Sequence, residues 1–307
     1  MKKKLIAVVG PTASGKTSLA VKIAQKYNGE VISADSMQIY KGMTIATAKP
    51  DEEEMGGIPH HLIDFLPPSE TFSVSQFTEL ANKAIDDITA RNKLPVLCGG
   101  TGLYVRSLIE NVQFSSEESD KKLRMELNRR YDEEGGASLI DELSAFDPQT
   151  AQELHPNNRK RIIRAIEIYR TTGMTMSEHI RKSKLIPSPL DVTAIGITFA
   201  DRQKLYDRIN RRVDFMMEQG LLEETKTFFE MQAGQTAAAA IGYKELKPYL
   251  DGKIDLNTAL EKLKQETRHY AKRQLTWFKR DAYIKWIYAD QCESVFEEAV
   301  RIIDTSL

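Results

Sequence analysis

Short apolar runs alternate with longer amphipathic stretches along most of this chain. Runs at residues 5 to 9, 30 to 34, 94 to 98, 192 to 199 and 283 to 288, with a shorter one at 61 to 65, have the length and composition of buried strands. Between them, apolar positions recur at helical spacing over about 16 to 27, 201 to 219, 221 to 231 and 256 to 281. Strands separated by helices predict a parallel α/β sheet. From 111 to 190 the strand signal disappears and charged amphipathic helices replace it. Asp147-Pro148 supplies a cap followed by proline at the first helical position, and Gly173 closes a helix that carries Arg159 to Arg170. The pattern predicts an α/β core of residues 1–110 and 191–307, interrupted by an all-helical insertion of residues 111–190.

Composition adds little that the pattern lacks. With 307 residues, of which 41% are hydrophobic, the chain can bury a full core and more than one folded unit. The start, MKKKLIAVVG, is basic and then apolar, but the apolar run passes straight into a glycine loop and so reads as a strand, not a leader. No stretch is long enough to span a bilayer. Cys98 and Cys292 stand far apart without metal-spaced companions, which fits a reducing cytoplasm and argues against a disulfide scaffold or zinc site.

Charge changes the picture locally. The net charge of −1 averages over strong fields. From His155 to Arg170 five basic residues face one acid, and from Glu261 to Lys285 eight face three, with Tyr270, Trp277, Phe278 and Tyr283 interleaved. Basic runs on helices are commonly just solvated faces, so neither cluster by itself establishes RNA binding.

Three segments that follow strands carry candidate chemistry. Gly10-Pro11-Thr12-Ala13-Ser14-Gly15-Lys16-Thr17 is a phosphate-binding loop. Its glycines let backbone N–H groups turn around a di- or triphosphate, Lys16 supplies a cation, Thr17 offers a hydroxyl to Mg²⁺, and the next helix aims its positive end at the anion. Asp35-Ser36-Met37-Gln38-Ile39-Tyr40 follows the second strand, where Asp35 is either a group in the ligand crevice at the carboxyl ends of the strands or a turn or cap residue. The Gln38 amide has the donor and acceptor to pair with an adenine edge. Gly99-Gly100-Thr101-Gly102-Leu103-Tyr104 lets backbone approach a ligand, with Thr101 as a donor to a leaving oxygen. Absent is the aspartate that ends the corresponding strand of ATP- or GTP-hydrolysing relatives of this loop; Asp64 is a candidate substitute. No guanine-reading NKxD occurs, His60-His61 reads as structural, and Ile241-Gly242-Tyr243-Lys244-Glu245 suggests a turn without assigned chemistry.

Taken in order, GPTASGKT at 10, DSMQIY at 35, GGTGLY at 99, HPNNRKRIIRAIEIY at 155, IGYKE at 241 and TRHYAKRQLTWF at 267 resemble the bacterial tRNA dimethylallyltransferase family, over essentially the whole chain. The resemblance implies a P-loop NTPase-like sheet with a helical insertion that binds the tRNA anticodon stem-loop. It also implies transfer of a dimethylallyl group from its diphosphate to N6 of the adenosine immediately 3′ of the anticodon, with Mg²⁺, by a cytoplasmic monomer. Asp35 would be the base, Thr101 would contact the bridging oxygen of the departing diphosphate, and Lys16 would act in catalysis. The loop residues Gly10 to Thr17 and Arg208 would hold the diphosphate, with Thr17 on the metal. Asp35, Ser36, Met37, Gln38, Thr101, Arg124, Arg159, Lys160, Arg161, Ile162 and Ile163 would touch tRNA. An isoprenoid diphosphate in the loop explains the missing hydrolytic aspartate. Prenylation of free adenylates, a small-molecule kinase with Asp35 as base, and a nucleotide-switched RNA-binding module are the rival readings. Asp64, Lys244, Arg268, Lys272 and Arg273 have no assigned role.

Overall fold

Six strands pair into one all-parallel sheet in the computed structural model, which describes residues 2–114, 120–231, 233–234 and 236–306. They are β1 (Lys3–Val9), β2 (Gly29–Ser33), β3 (His60–His61), β4 (Leu94–Gly99), β5 (Leu190–Thr198) and β6 (Ile284–Tyr288), in the spatial order β3-β2-β4-β1-β5-β6. Parallel neighbours require crossovers, and helices provide them. The first are α1 (Lys16–Lys26), α2 (Glu52–Met55), α3 (Val74–Ala90) and α4 (Gly102–Ile109). Next come α5 (Lys121–Ser144), α6 (Pro148–Glu153), α7 (Arg159–Thr172) and α8 (Met176–Lys184). After β5 follow α9 (Arg202–Glu218), α10 (Leu221–Glu230), a 3₁₀ turn at Ala237–Ala239, α11 (Tyr243–Leu250), α12 (Leu256–Phe278) and α13 (Val295–Asp304).

The chain divides into two units, residues 1–109 with 189–307, and residues 110–188. In the first, strand alternation sets the two cores. Leu5, Ala7 and Val9 join Phe77, Ile85 and Leu108 on one face, while Ile6 and Val8 join Leu19, Ile23 and Ile303 on the other. Both faces are covered, which is why β1, β4 and β5 read as continuous apolar runs. β3 is shorter than the 61-to-65 run because Leu62 and Asp64 take φ values of 60° and 53°, which turn the chain out of the sheet.

The second unit holds only helices among its described residues. Leu127, Leu139 and Leu143 of α5 pack on Ala151, Ile162 and Ile166. Gly135, at φ 84°, breaks α5 in two. Buried Asp147 caps α6 by accepting from the Thr150 N–H at 3.1 Å and hydroxyl at 2.7 Å, and it accepts from the Ser177 N–H at 3.0 Å at the start of α8. Among the described residues no helix is long and apolar enough to cross a membrane.

Candidate active site

The carboxyl ends of β1, β2 and β4 deliver three loops to one place. Behind β1 the phosphate loop turns tightly. A Cβ on Gly10 would stand 2.5 Å from the Ile197 carbonyl oxygen, so only glycine fits there, and Gly15 enters α1 at φ 92°. Lys16 Nζ folds back to donate to the Pro11 carbonyl at 3.3 Å. The Ser14 hydroxyl is buried with no hydrogen-bond partner among the described residues, a donor left over for an anion.

Asp35 leaves β2 in a turn whose backbone holds it. Its Oδ1 accepts from the Met37 N–H at 2.9 Å and the Gln38 N–H at 3.4 Å; no hydrogen bond among the described residues engages Oδ2. After β4, Thr101 Oγ1 accepts from the Ser36 N–H at 3.0 Å and lies 3.4 Å from the Ser36 hydroxyl, so the second and third loops are tied together. Gln274 of α12 ties the first to the third. Its carbonyl accepts from the Thr12 N–H at 2.8 Å and its amide donates to the Gly100 carbonyl at 3.0 Å. A Cβ on Gly100 would meet that amide at 2.1 Å, so this glycine makes room for Gln274, not for a ligand.

The first two of these loops, with α9, α12 and residues 239–242, line a cavity of about 290 Å³. Its polar end carries Thr12, Lys16, Thr17, Asp35, Arg212 and Arg273; its apolar end carries Ala46, Val213, Met216, Leu221, Ile241 and Leu263. Burial lowers the Lys16 pKa, and the Arg212 charge adds to the effect against Cys98 and Asp35. Burial likewise lowers that of Arg212, opposed by Glu54 and Asp35; a guanidinium keeps its proton regardless. The Tyr270 hydroxyl, bonded to Thr101 and Gln274, is pushed up by burial and by the Asp35 charge, so it stays a neutral donor. Burial raises the Cys98 thiol beside Thr17 to about 11, which keeps it protonated at neutral pH.

The sequence-derived site residues fall into three groups. Thr12, Lys16, Thr17, Asp35, Ser36, Met37 and Gln38 line the cavity together. Thr101 and Arg208 are not among its lining side chains. Thr101 supports Ser36 from behind, and Arg208 Nε donates to the Ala13 carbonyl at 2.9 Å while its guanidinium lies 5.5 Å over the Phe199 ring. Arg212, one turn further along α9, is the arginine that reaches the cavity. The Gln38 amide is already satisfied, donating to the carbonyls of Thr47 at 3.3 Å and Ala48 at 2.9 Å and accepting from the Ser33 hydroxyl at 3.2 Å, so it braces a loop where an adenine edge was expected. Asp64 pairs with Lys49 and does not line the cavity, which removes it as a metal substitute.

In the helical unit, Ile162 and Ile163 are core residues, 0% and 4% exposed, because α7 turns its apolar face inward. Arg159 is held by Asp132 at 2.6 and 2.9 Å, and Arg124 by buried Glu167 at 2.7 Å. Lys160 and Arg161 are exposed and carry no ion pair among the described residues.

Sequence reasoning gave no role at the site to Arg212, Tyr270, Arg273 or Gln274. Their signal was present as polar positions at spacings of three and four within α9 and α12, next to Ile209, Val213, Met216, Leu263 and Thr267 of the same cavity. Among the described residues no group of three His, Cys, Asp or Glu could hold a metal.

Residues 38–281 match the model of the IPP transferase family. The chain is 50% identical over 292 residues to the tRNA dimethylallyltransferase of Acetivibrio thermocellus, covering 94% of this chain and 93% of that one. It is 49% identical over 304 residues to the enzyme of that name from Halalkalibacterium halodurans, covering 99% and 96%. Among solved structures it is similar to the full-length tRNA isopentenylpyrophosphate transferase from Bacillus halodurans (TM-score 0.71, 45% identity, 99% and 95% covered). It is also similar to a eukaryotic dimethylallyltransferase acting on tRNA (TM-score 0.84, 32% identity, 98% of this chain and 79% of that one). A phosphate loop facing an aspartate across one cavity, on a chain matched over nearly its whole length, places this protein in the IPP transferase family, with the tRNA dimethylallyltransferases.

Proposed function

We propose that this protein transfers a dimethylallyl group from dimethylallyl diphosphate to N6 of the adenosine immediately 3′ of a tRNA anticodon, releasing diphosphate. The observation that carries the reading is the two-ended cavity, where Lys16 and Arg212 stand beside Asp35 at the polar end and an aliphatic pocket forms the other. That polarity suits a diphosphate joined to a short branched hydrocarbon.

An adenine amine is a weak nucleophile because its lone pair is delocalised into the ring. The N6–C1 bond forms as the C1–O bond to diphosphate breaks, and the N6 proton passes to Asp35. The electron pair left on the diphosphate faces the loop N–H groups, Lys16 and Arg212, which are in place before the reaction begins. Thr101, through Ser36, and Gln274, through Thr12 and Gly100, keep the three loops in register. The donor set fits Mg²⁺ only as a companion of the substrate. Thr17 and Asp35 offer hard oxygen ligands, but among the described residues no protein cage surrounds them, so the ion would be held by the Thr17 hydroxyl together with the substrate's diphosphate. The chemistry such an ion would supply when bound is neutralisation of charge on the leaving group.

The adenosine must leave its stack to reach the cavity, at a cost of about a few kcal/mol. Exposed Lys160 and Arg161 are the α7 cations available to offset that cost through backbone phosphates. The test is mass spectrometry of nucleosides from unmodified tRNA incubated with protein, Mg²⁺ and dimethylallyl diphosphate, beside arms with AMP as acceptor and with ATP as donor. Prenylated adenosine in the tRNA arm alone is the expected result. Product from AMP alone, or none with folded protein, overturns it.

A further inference from the structure

The loop from Lys41 to Lys49 joins the Asp35 turn to the rest of the unit without strand or helix to hold it. Ala48 sits in the left-handed region at φ 49°, and the only backbone bonds donated within the segment from Thr44 on are Ala48 to Ile45 and Lys49 to Thr44. The N–H groups of Thr44, Ile45 and Ala46 therefore need outside acceptors. One carboxylate takes all three. Glu224 Oε2 accepts from Thr44 at 2.9 Å and Ile45 at 2.8 Å, and Oε1 accepts from Ala46 at 2.9 Å and from the Tyr243 hydroxyl at 2.9 Å. Tyr243 is wholly buried, stacked at 4.0 Å on Phe228 of the helix that carries Glu224. The preceding Gly242 packs on the same loop, where a Cβ would stand 3.1 Å from the Ala46 methyl.

From the captured loop the hydrogen bonds run on to the chemistry. Gln38 donates to the carbonyls of Thr47 and Ala48, and its own N–H reaches Asp35 Oδ1. Ala46, Thr47 and Ala48 themselves line the cavity. We infer that Glu224 is a positioning residue for Asp35, its carboxylate fixing residues 44–48 of the cavity wall and, through Gln38, the orientation of Asp35, with Tyr243 locking the carboxylate. This gives the IGYKE segment its purpose. The inference rests on the transferase reading above.

Four donors converge on Glu224, and only a carboxylate offers enough acceptor sites. A glutamine would turn an NH₂ group toward N–H groups that have nothing to accept. Glu224→Gln, Glu224→Asp and Tyr243→Phe are compared with wild type by thermal melts, amide hydrogen exchange, and separate kcat and KM values for an anticodon stem-loop RNA and for dimethylallyl diphosphate. Glu224→Gln is expected to lower kcat, and with it kcat/KM for RNA, about 30-fold, to speed exchange at Thr44, Ile45 and Ala46, and to change either KM much less than kcat. Tyr243→Phe, which removes one of the four bonds, is expected to cost about fivefold on the same RNA parameter, and Glu224→Asp to fall between the two. A folded Glu224→Gln enzyme with wild-type RNA kinetics, or with RNA and donor KM values raised alike, overturns the inference. If that variant does not fold, unchanged RNA kinetics in Tyr243→Phe overturns it. An inactive wild-type protein would instead sink the transferase reading.

Discussion

In the helical unit Arg159 grips Asp132 with two guanidinium nitrogens, Arg170 reaches Glu142, and Arg124 and Arg164 converge on buried Glu167. In the α/β unit Lys16, Arg212 and Arg273 line a cavity and have no ion pair among the described residues. The same residue types thus serve two ends. Where a cation faces a carboxylate of its own unit, its charge is spent on holding helices together. Unpaired beside a phosphate loop, it is held for a ligand, and the price is the burial that depresses Lys16 and Arg212.

The sharpest way to break this contrast is at the one carboxylate lining the cavity's polar end. Asp35→Asn is expected to lower kcat about 10³-fold, since it removes a proton acceptor while keeping the shape of the turn. Donor affinity, read by calorimetry, should change little. A rate within tenfold of wild type would make Asp35 a turn residue only. Next in size comes Arg212→Ala. It should lower kcat/KM for dimethylallyl diphosphate about 100-fold, the worth of a lost charged hydrogen bond to the leaving group. Arg208→Ala, which only removes a prop from Ala13, should cost less, and equal effects would contradict the placement of the two arginines.

Arg212 also marks where legibility ended. The phosphate loop could be read because eight consecutive residues carry its chemistry, and the strands because burial on both faces leaves an uninterrupted apolar run. The Asp35 turn was likewise local. Arg212 and Gln274 arrive from helices nearly 200 residues or more from the phosphate loop, and the spacing that puts them on one helix face does not say that this face lines a cavity. The glycine at 100 was visible but its reason was not, because the group filling the space belongs to Gln274. Ile162 and Ile163, carried over as tRNA contacts by the family resemblance, sit where helical periodicity turns their side chains inward. The order of the six strands, which depends on long-range pairing, could not be read at all.

On the helical side, charge spent on structure should show as stability and not as rate. Asp147→Ala removes bonds from Thr150 and Ser177 and is expected to destabilise the unit by about 2 kcal/mol. The pH dependence has a defined sign. Burial raises the Asp147 pKa, but the hydrogen bonds from Thr150 and Ser177 outweigh it and hold the group below its ordinary value. A depressed carboxylate contributes stability above its unfolded pKa of about 4, lost as pH falls through the folded value. Melting of wild type from pH 6 down to pH 2 should therefore show a loss that Asp147→Ala lacks. Parallel curves would remove Asp147 from the account.

The smallest effect tests whether any helical-unit cations escape structural use. Lys160 and Arg161 point outward from α7, while Arg159 beside them is clamped to Asp132 and Asn128 and lies 5.0 Å over the Tyr131 ring. If the unpaired two meet backbone phosphates, Lys160→Ala with Arg161→Ala should weaken stem-loop binding about tenfold at low salt and lower the salt slope by roughly 1 to 2, with no change in melting temperature. Arg159→Ala should do the reverse, lowering the melting temperature while leaving the salt slope nearly intact, because its charge is already neutralised within the protein. Should Arg159→Ala move the salt slope as far as the double variant does, then ion pairing would not decide which arginines are free for RNA, and the contrast between the two units would lose its meaning.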